Sequence, residues 1–418
     1  MIMRIKEICD YVSRGYTPDY VDESPYKVMN QASFSKGYID ESKQRFTSTI
    51  SQGANIRKGD LLMASTGGGV LGKVFYFDSD DNSFYADSHV TIMRDSKGRN
   101  LMKFLYYIFS LKYDEINATM VKGSTNQTEL QRNYLLAYEL DIPTTSEQQR
   151  IVDYLDEKTK AIDTRISVLE KKSEAYKRLK ASVINRAVTR GLNPDVTVKD
   201  SGIEWIGMIP EHWNPIRLKD VSYLYSGLTG KAGDDFRCDD ESLTKPYLPF
   251  TNVLNNTKID FNQVNRVVMG ENENQNRVNQ NDLIFLMSSE DYESIAKSAV
   301  VEGDPGELYL NSFCRGLHFT SRNVQASFVN YQLNSKKYRD ALRFEARGFT
   351  RINIKIDRIA SQFVTLPPLD EQQQIVDYLD AKCTEIDKAI DNIGKQIDAL
   401  KRLKRSLINE VVTGKRKV

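Results

Sequence analysis

The segment EQQRIVDYLDEKTKAID at 147–163 returns as EQQQIVDYLDAKCTEID at 371–387, and KRLKASVINRAVT at 177–189 returns as KRLKRSLINEVVT at 401–413. The copies align without a gap at an offset of 224 residues, with roughly two dozen identities over some forty positions. A repeat of this quality restricts the chain to architectures that use one supersecondary unit twice. Weaker echoes surround it. Ile5-Lys6-Glu7-Ile8 matches Leu218-Lys219-Asp220-Val221, Lys58-Gly59-Asp60-Leu61-Leu62 matches Gln280-Asn281-Asp282-Leu283-Ile284, and Gly123-x-Thr125 matches Gly348-x-Thr350. Each half therefore reads as a divergent lobe followed by a preserved segment: the lobes do different jobs and the preserved segments do the same one.

Both preserved segments read as long helices. Ser146-x-x-Gln149 after Pro143 and Asp370-x-x-Gln373 after Pro367-Pro368 have the form of capping boxes, and Gly191 and Gly414 stand where helices stop. About forty residues at 1.5 Å each make a rod of roughly 60 Å, which needs a partner along its length. Heptads supply one. With Leu155, Ile162, Leu169, Tyr176 and Val183 at d in the first helix, Leu379, Ile386, Ile393, Leu400 and Leu407 fall at d in the second. The a positions mix apolar residues with polar ones, among them Lys180 and Lys404, which predicts a coiled coil whose alignment is fixed by polar positions at some cost in stability. The competing arrangement is two independent amphipathic helices, each packed on its own lobe. Because the second lobe lies between the helices in sequence and can return the chain, an antiparallel pair with a pseudo-twofold axis is expected.

The lobes show β-rich runs (Asp60-LLMAST, Val74–Phe77, His89–Met93, Asp282-LIFLMSS, Leu308–Leu310) and helical runs beginning at Met102 and Phe328, hence an α+β composition. The linker 192–216 holds both tryptophans and three prolines, Pro194, Pro210 and Pro215, and reads as a packed, non-helical connector. No apolar run approaches the length of a membrane span, and the start MIMRIKEICDYV carries acidic residues where a signal peptide would be basic, so a cytoplasmic location without membrane contact is expected. Cys9, Cys238, Cys314 and Cys383 and the three histidines are scattered, supporting neither a disulfide framework nor a metal site.

The net charge of +1 argues against a uniformly basic nucleic-acid binder, but the chain has a local excess. Residues 336–358 carry Lys336, Lys337, Arg339, Arg343, Arg347, Arg351, Lys355 and Arg358 against Asp340, Glu345 and Asp357. Polar loops also cluster at corresponding places in the two lobes. Ser65 and Thr66 begin a turn matched by Ser288 and Ser289; Ser88-His89 corresponds to Ser312-Phe313, with Arg315 nearby; Lys122, Ser124, Thr125 and Asn126 face Arg347, Thr350 and Arg351 across the alignment. Arg and Lys suit guanine edges, Asn and Gln adenine edges, and Ser or Thr either a base or a phosphate. All of these loop residues except Ser312 and Phe313, fourteen in number, are the candidate DNA contacts, with solvated turns as the plain alternative.

Intrinsic catalysis is disfavoured. Gly67-Gly68-Gly69 is no GxGxxG loop, and Asn193-Pro194-Asp195 lacks the second proline and the aromatic residue that an adenine methyltransferase uses on a flipped base. A coiled-coil adaptor that binds only proteins would account for the rods and the modest charge, but not for divergent lobes with matched polar loops.

KDSGIEWIGMIPEHWNPIRLKDV, TLPPLDEQQQIVDYLD and KRLKRSLINEVVTGK closely resemble the specificity subunits of type I restriction-modification systems. The resemblance is strong over the linker and both helices, whereas SGIEWIG precedes only the second lobe. It implies two globular target recognition domains, 1–142 and 217–366, separated by two long antiparallel coiled-coil helices, 143–191 and 367–418. It further implies that each lobe reads half of a split double-stranded DNA site and that the helices act as a spacer ruler and a platform for two modification subunits. The chain itself would hold no cofactor: S-adenosylmethionine would enter with the modification subunits, ATP and magnesium with two restriction subunits where these join.

Overall fold

The computed structural model describes residues 1–123, 128–238, 240, 242–270 and 273–418. The candidate contacts Ser124, Thr125 and Asn126 lie outside the described residues. The chain divides into two compact units, Met1–Glu170 with Gly394–Val418, and Lys171–Ile393.

In the first unit an antiparallel sheet runs in the order Tyr11–Arg14, Val90–Arg94, Leu61–Ala64, Val74–Tyr76. Its side chains alternate in the expected way. Leu61 and Met63 enter one core with Phe104, Leu105 and Phe109, while Leu62 and Ala64 enter another with Met29, Phe34 and Phe77. A second sheet, ordered Tyr20–Val21, Arg45–Thr47, Lys27–Met29, Phe84–Ala86, covers that second core. The second unit repeats the plan. Its sheet runs Ser222–Ser226, Cys314–Phe319, Leu283–Leu286, Ser298–Val300, with Leu283 and Phe285 in one core and Ile284 and Leu286 in the other. A smaller sheet is ordered Asn265–Val268, Thr244–Leu248, Tyr309–Leu310. Two lobes joined in sequence only by short echoes thus share one strand order.

The echoes mark shared physics. Asp60 and Asp282 are both fully buried, and each accepts a backbone N–H from the turn before it, from Arg57 at 2.7 Å and from Asn279 at 2.8 Å. Their side-chain partners differ. Arg94 clamps Asp60 with two bonds of 2.6 Å, whereas Asp282 meets His318 Nδ1 at 2.7 Å and accepts from the Tyr225 hydroxyl. A buried carboxylate is tolerated only with such compensation.

The first preserved segment is one helix, Thr145–Arg190, of 46 residues, and the second is Leu369–Val412, of 44. The cap of the first is not the one expected. Thr144 and Glu147 close the box, the Thr144 N–H and hydroxyl both donating to the Glu147 carboxylate at 3.0 and 2.8 Å, while Gln149 turns outward to Asp153. In the second helix Pro368 precedes the first turn, and Gln373 donates to Asp377 instead of closing a box. The repeated glutamine next to these positions is buried in both copies. Gln148 accepts from the Leu101 N–H at 2.9 Å and donates to the Pro143 carbonyl at 3.0 Å; Gln372 accepts from the Gln325 N–H and donates to the Pro367 carbonyl, both at 2.9 Å. Leu101 and Gln325 are the residues that cap the starts of Met102–Ser110 and Ala326–Asn334, so one amide ties each long helix to a helix of its lobe.

The helical runs expected as single elements from Met102 and Phe328 are each two helices: Met102–Ser110 and Tyr113–Thr119, Ala326–Asn334 and Lys336–Glu345. In the second pair the cause is phase. A continuous helix would carry the stripe of Phe328, Val329 and Leu333 on to Lys336 and Asp340; the extended backbone at Ser335 resets it so that Tyr338 and Leu342 reach the core.

Within each unit the long helices pair antiparallel. In the first, Leu155 and Ile162 pack with Leu407, Ile408 and Val411; in the second, Val183, Ala187 and Val188 share a core with Ile375, Val376 and Leu379. Ile386 and Ile393 are buried, while Leu169, Tyr176 and Leu400 are half-buried among exposed neighbours. Lys180 meets Asp387 at 2.7 Å in the second unit, and Lys404 meets Asp163 at 2.6 Å in the first, so the repeat makes the same ion pair twice. The linker contributes the hairpin Val198–Asp200 with Met208–Pro210, and Trp213 is fully buried, donating to Glu371 Oε1 at 3.2 Å.

Two outcomes are expected. Gln372→Ala leaves the Gln325 amide without its acceptor and lowers the local stability of the second unit by about 1–3 kcal/mol; amide hydrogen exchange at Gln325 reads this, and unchanged protection contradicts it. Lys180→Glu places like charges at Asp387 and lowers the melting temperature, and adding Asp387→Lys restores it. Failure of the double exchange to recover stability removes the pair from any role in alignment.

Candidate nucleic-acid interface

In the second unit, strand Ser288–Ser289 pairs with Ile352–Asn353, and Arg347 and Asn353 exchange backbone bonds of 2.9 and 2.8 Å. This ladder brings the 346–354 segment beside the strand that begins at Cys314. Ser288, Ser312, Phe313, Arg315, Arg351, Asn353 and Lys355 together line one surface depression. Arg351 lies over the Phe313 ring at 4.7 Å, and Arg315 is held by the carbonyls of Ser312 and Cys314 at 3.0 and 2.8 Å. Neither of these cations, nor Arg347 or Lys355, forms a carboxylate ion pair among the described residues. Ser288 Oγ is buried without a hydrogen-bond partner; Ser289 Oγ accepts from the Asp291 N–H at 3.3 Å, and Thr350 is exposed.

Much of the basic run 336–358 serves the fold. Lys336 pairs with Asp340, Arg343 with Glu293 and Arg358 with Glu345, and Lys337 donates to the Ile206 carbonyl. Arg339 is buried and donates to the carbonyls of Glu293 and Ile295; burial pushes its guanidinium down to about 10. Of this run, Arg347, Arg351 and Lys355 remain beside Arg315 without a carboxylate partner among the described residues, Arg347 donating to the carbonyls of Phe344 and Ala346.

In the first unit Thr66 Oγ1 lies 2.7 Å from His89 Nδ1 and donates to Gln31 Oε1 at 3.2 Å. His89 is exposed and borders a depression with Tyr20, Gln31, Lys43, Arg45 and Asp87. Burial raises the Asp87 carboxyl, against the lowering influence of the His89 N–H that it accepts at 2.9 Å. Ser88 is half-buried beside His89. Strand Val121–Lys122 pairs with Glu129–Leu130, and Glu129 in turn bridges to Thr66, so Lys122 stands near the same edge, its ammonium 5.4 Å from the Tyr134 ring. Ser65 departs from the sequence expectation. It is fully buried, its hydroxyl 2.6 Å from Thr91 Oγ1 and donating to the Met63 carbonyl at 3.2 Å, so it faces the core and shapes the turn.

Two matched lobes, each with a polar edge, on one repeated antiparallel helix pair are what the comparisons with known proteins explain. The family model described as the type I restriction modification DNA specificity domain matches residues 1–171 and 210–402, each match covering a lobe and part of its helix. The chain belongs to this family. The putative type I restriction enzyme MjaX specificity subunit of Methanocaldococcus jannaschii is 27% identical over 215 residues, 50% of this chain and 47% of that subunit, so the match spans about half of that relative's length. The MjaVIII specificity subunit of the same organism is 21% identical over 334 residues, 78% of this chain and 74% of its own. Among solved structures, a chain described under complex assembly and conformational transition of the type I R-M system has a TM-score of 0.69 at 14% identity, covering 99% of this chain and 97% of that one. The HsdS subunit from Thermoanaerobacter tengcongensis has a TM-score of 0.50, also at 14% identity, covering 99% and 96%. These likenesses carry the fold: two recognition lobes and two long helices, in a mixed α+β chain.

Among the described residues no group of His, Cys, Asp and Glu could hold a metal ion, and no helix is long and apolar enough to cross a membrane. The thiols of Cys9 and Cys314 are pushed up to about 12 by burial, which leaves them protonated and unreactive.

Sequence reasoning did not single out Gln31, Arg45 or Asn353, and it noted Lys355 only as part of the basic run. Gln31 opens the four-residue helix Gln31–Phe34 and Arg45 the three-residue strand Arg45–Thr47, both too short to show a period, and Asn353 is an ordinary polar residue until the Ser288–Ser289 ladder carries it to the edge. Ser65→Ala is expected to lower first-unit stability by about 1–2 kcal/mol through loss of the Thr91 bond while leaving the DNA target unchanged. Thr66→Ala or His89→Ala should leave stability nearly intact and alter the target, as read by mapping methylated sites in cells. An altered target from Ser65→Ala alone, with stability unchanged, would reverse this assignment.

Proposed function

We propose that this chain is the DNA sequence-recognition subunit of a type I restriction-modification complex, acting without catalysis of its own. The observation that carries the reading is the pairing of one repeated lobe plan with non-identical polar edges: the same scaffold presents Thr66, Ser88, His89 and Lys122 in one lobe and Ser288, Ser289, Arg315, Arg347, Thr350 and Arg351 in the other. Different side chains on equivalent edges suit two different half-sites of duplex DNA. Ser124, Thr125 and Asn126 join the first set on sequence grounds. We assign the lobes to 1–142 and 217–366, the helices to 143–191 and 367–418, and the connector to 192–216.

In this reading the lobes dock through their loops, phosphate contacts set position, and base-edge contacts select sequence. The paired helices set the unspecified spacer and seat two modification subunits, which bring S-adenosylmethionine and methylate adenine. Two restriction subunits, with ATP and magnesium, complete the cleaving form. The complex works in the cytoplasm, where its DNA is. A near-neutral chain fits such an assembly, because partners share the work of phosphate neutralisation.

Mapping methylated adenines in a host that expresses the chain with a modification subunit tests the assignment. Exchange of residues 1–142 for another lobe should change one half-site alone, and removal of seven residues from each long helix should shorten the spacer while both half-sites persist. Joint alteration of both half-sites by the lobe exchange contradicts the modular reading. Absence of salt-dependent duplex binding even with the modification subunits present would return the chain to a protein-only adaptor.

A further inference from the structure

Phe349 is 98% exposed, and Phe344 is 76% exposed nearby. A single exposed apolar residue is common and needs no explanation; the setting of Phe349 is what demands one. It sits at the tip of a braced hairpin. Arg347 and Asn353 close the hairpin with two backbone bonds, Ser288 and Ser289 pair with its returning strand, and the Tyr292 hydroxyl donates to the Gly348 carbonyl at 3.2 Å. Gly348 has φ +146°, and a Cβ there would collide with the Arg351 carbonyl, so the turn admits only glycine just before the phenylalanine.

The surroundings select the occupant. Arg347 lies 5.9 Å from the Phe344 ring and Arg351 4.7 Å from Phe313, which is itself 40% exposed, and Lys355 follows on the same segment. Aromatic faces interleaved with cations that lack carboxylate partners among the described residues fit a ligand that is both polyanionic and rich in π-faces. An apolar protein partner would leave these charges desolvated and unpaired. The matched position in the first lobe is Ser124, so the feature belongs to one lobe only.

We infer that Phe349 is a wedge with which the second lobe stacks on, or enters between, bases of its own half-site, flanked by Arg347 and Arg351 on the adjoining phosphates. This deepens the recognition reading above and rests on it. Apolar side chains inserted at a base step partly unstack it and kink the duplex, and loss of one aromatic–base stack weakens binding by roughly 5- to 100-fold.

The test uses the full chain with its modification subunits and a duplex bearing the target mapped from methylated genomic DNA, with 2-aminopurine placed at successive positions of each half-site. The wild type should raise the fluorescence at one step of the second lobe's half-site and at none in the first. Phe349→Ala should abolish that rise and weaken duplex binding by about 5- to 100-fold, and Phe349→Trp should retain both. At 98% exposure the substitution leaves the fold intact, which thermal melting checks. Salt-dependent binding by wild type with Phe349→Ala equal in affinity and fluorescence overturns the wedge and spares the recognition reading. Failure of the wild type itself to bind the duplex overturns both. Loss of modification-subunit association in Phe349→Ala would make the residue a protein contact and also overturn the wedge.

Discussion

A single side-chain amide fixes where each long helix meets its lobe. Gln148 and Gln372 are buried, and each takes the N–H of the residue that caps a lobe helix, Leu101 or Gln325, while giving its own to the carbonyl of a proline just before the long helix. An amide in such a place is committed on both sides, because any rotation of the long helix about its axis would strand a buried donor and a buried acceptor. The lobe is thereby oriented by backbone geometry, which does not depend on the lobe's surface sequence. This is how two lobes can diverge freely at their edges and still present them from equivalent positions on equivalent helices.

The same separation of constant and variable parts runs through the lobe interior. The turn that leads into the central strand keeps its buried aspartate, Asp60 or Asp282, and its backbone bond, yet the side chains that hold the carboxylate differ, a bidentate arginine in one lobe and a histidine with a tyrosine in the other. Gly15 and Gly227, both following the first strand of the main sheet, each run so close to a neighbouring backbone that a Cβ would collide with a carbonyl oxygen. Such positions tolerate no side chain whatever the half-site read. Surface loops a few residues away face no such limit.

How much of this was legible follows from where the constraint is local. The long helices and their heptad stripe could be read because 3.5-residue periodicity and a gapless repeat are properties of sequence alone, and their antiparallel sense because the second lobe lies between them in sequence and can return the chain. Strands such as Leu61–Ala64 and Leu283–Leu286 were visible as short apolar runs. The capping box was misplaced by two residues because Thr144-x-x-Glu147 and Ser146-x-x-Gln149 are chemically equivalent signals, and only the docking of Gln148 decides between them. The break at Ser335 was hidden because no glycine or proline marks it; it answers to the core position of Tyr338. Ser65 was misread for a similar reason, since a serine at a strand end reads as polar loop until its hydroxyl finds Thr91.

Charge shows why counting residues could not locate the proposed recognition edge. The run 336–358 looks uniformly basic, yet Arg339 and Arg343 hold the 293–295 backbone, and Lys336 and Arg358 are matched by nearby carboxylates. What remains for a polyanion lies on one short hairpin and the strand beside it. An interface of this kind is electrostatically small, so that sequence choice can dominate over indiscriminate attraction to phosphate. A nearly neutral chain is then an advantage for a reader: with few general contacts holding it on the wrong site, the quality of the base contacts at each lobe edge decides where it stays.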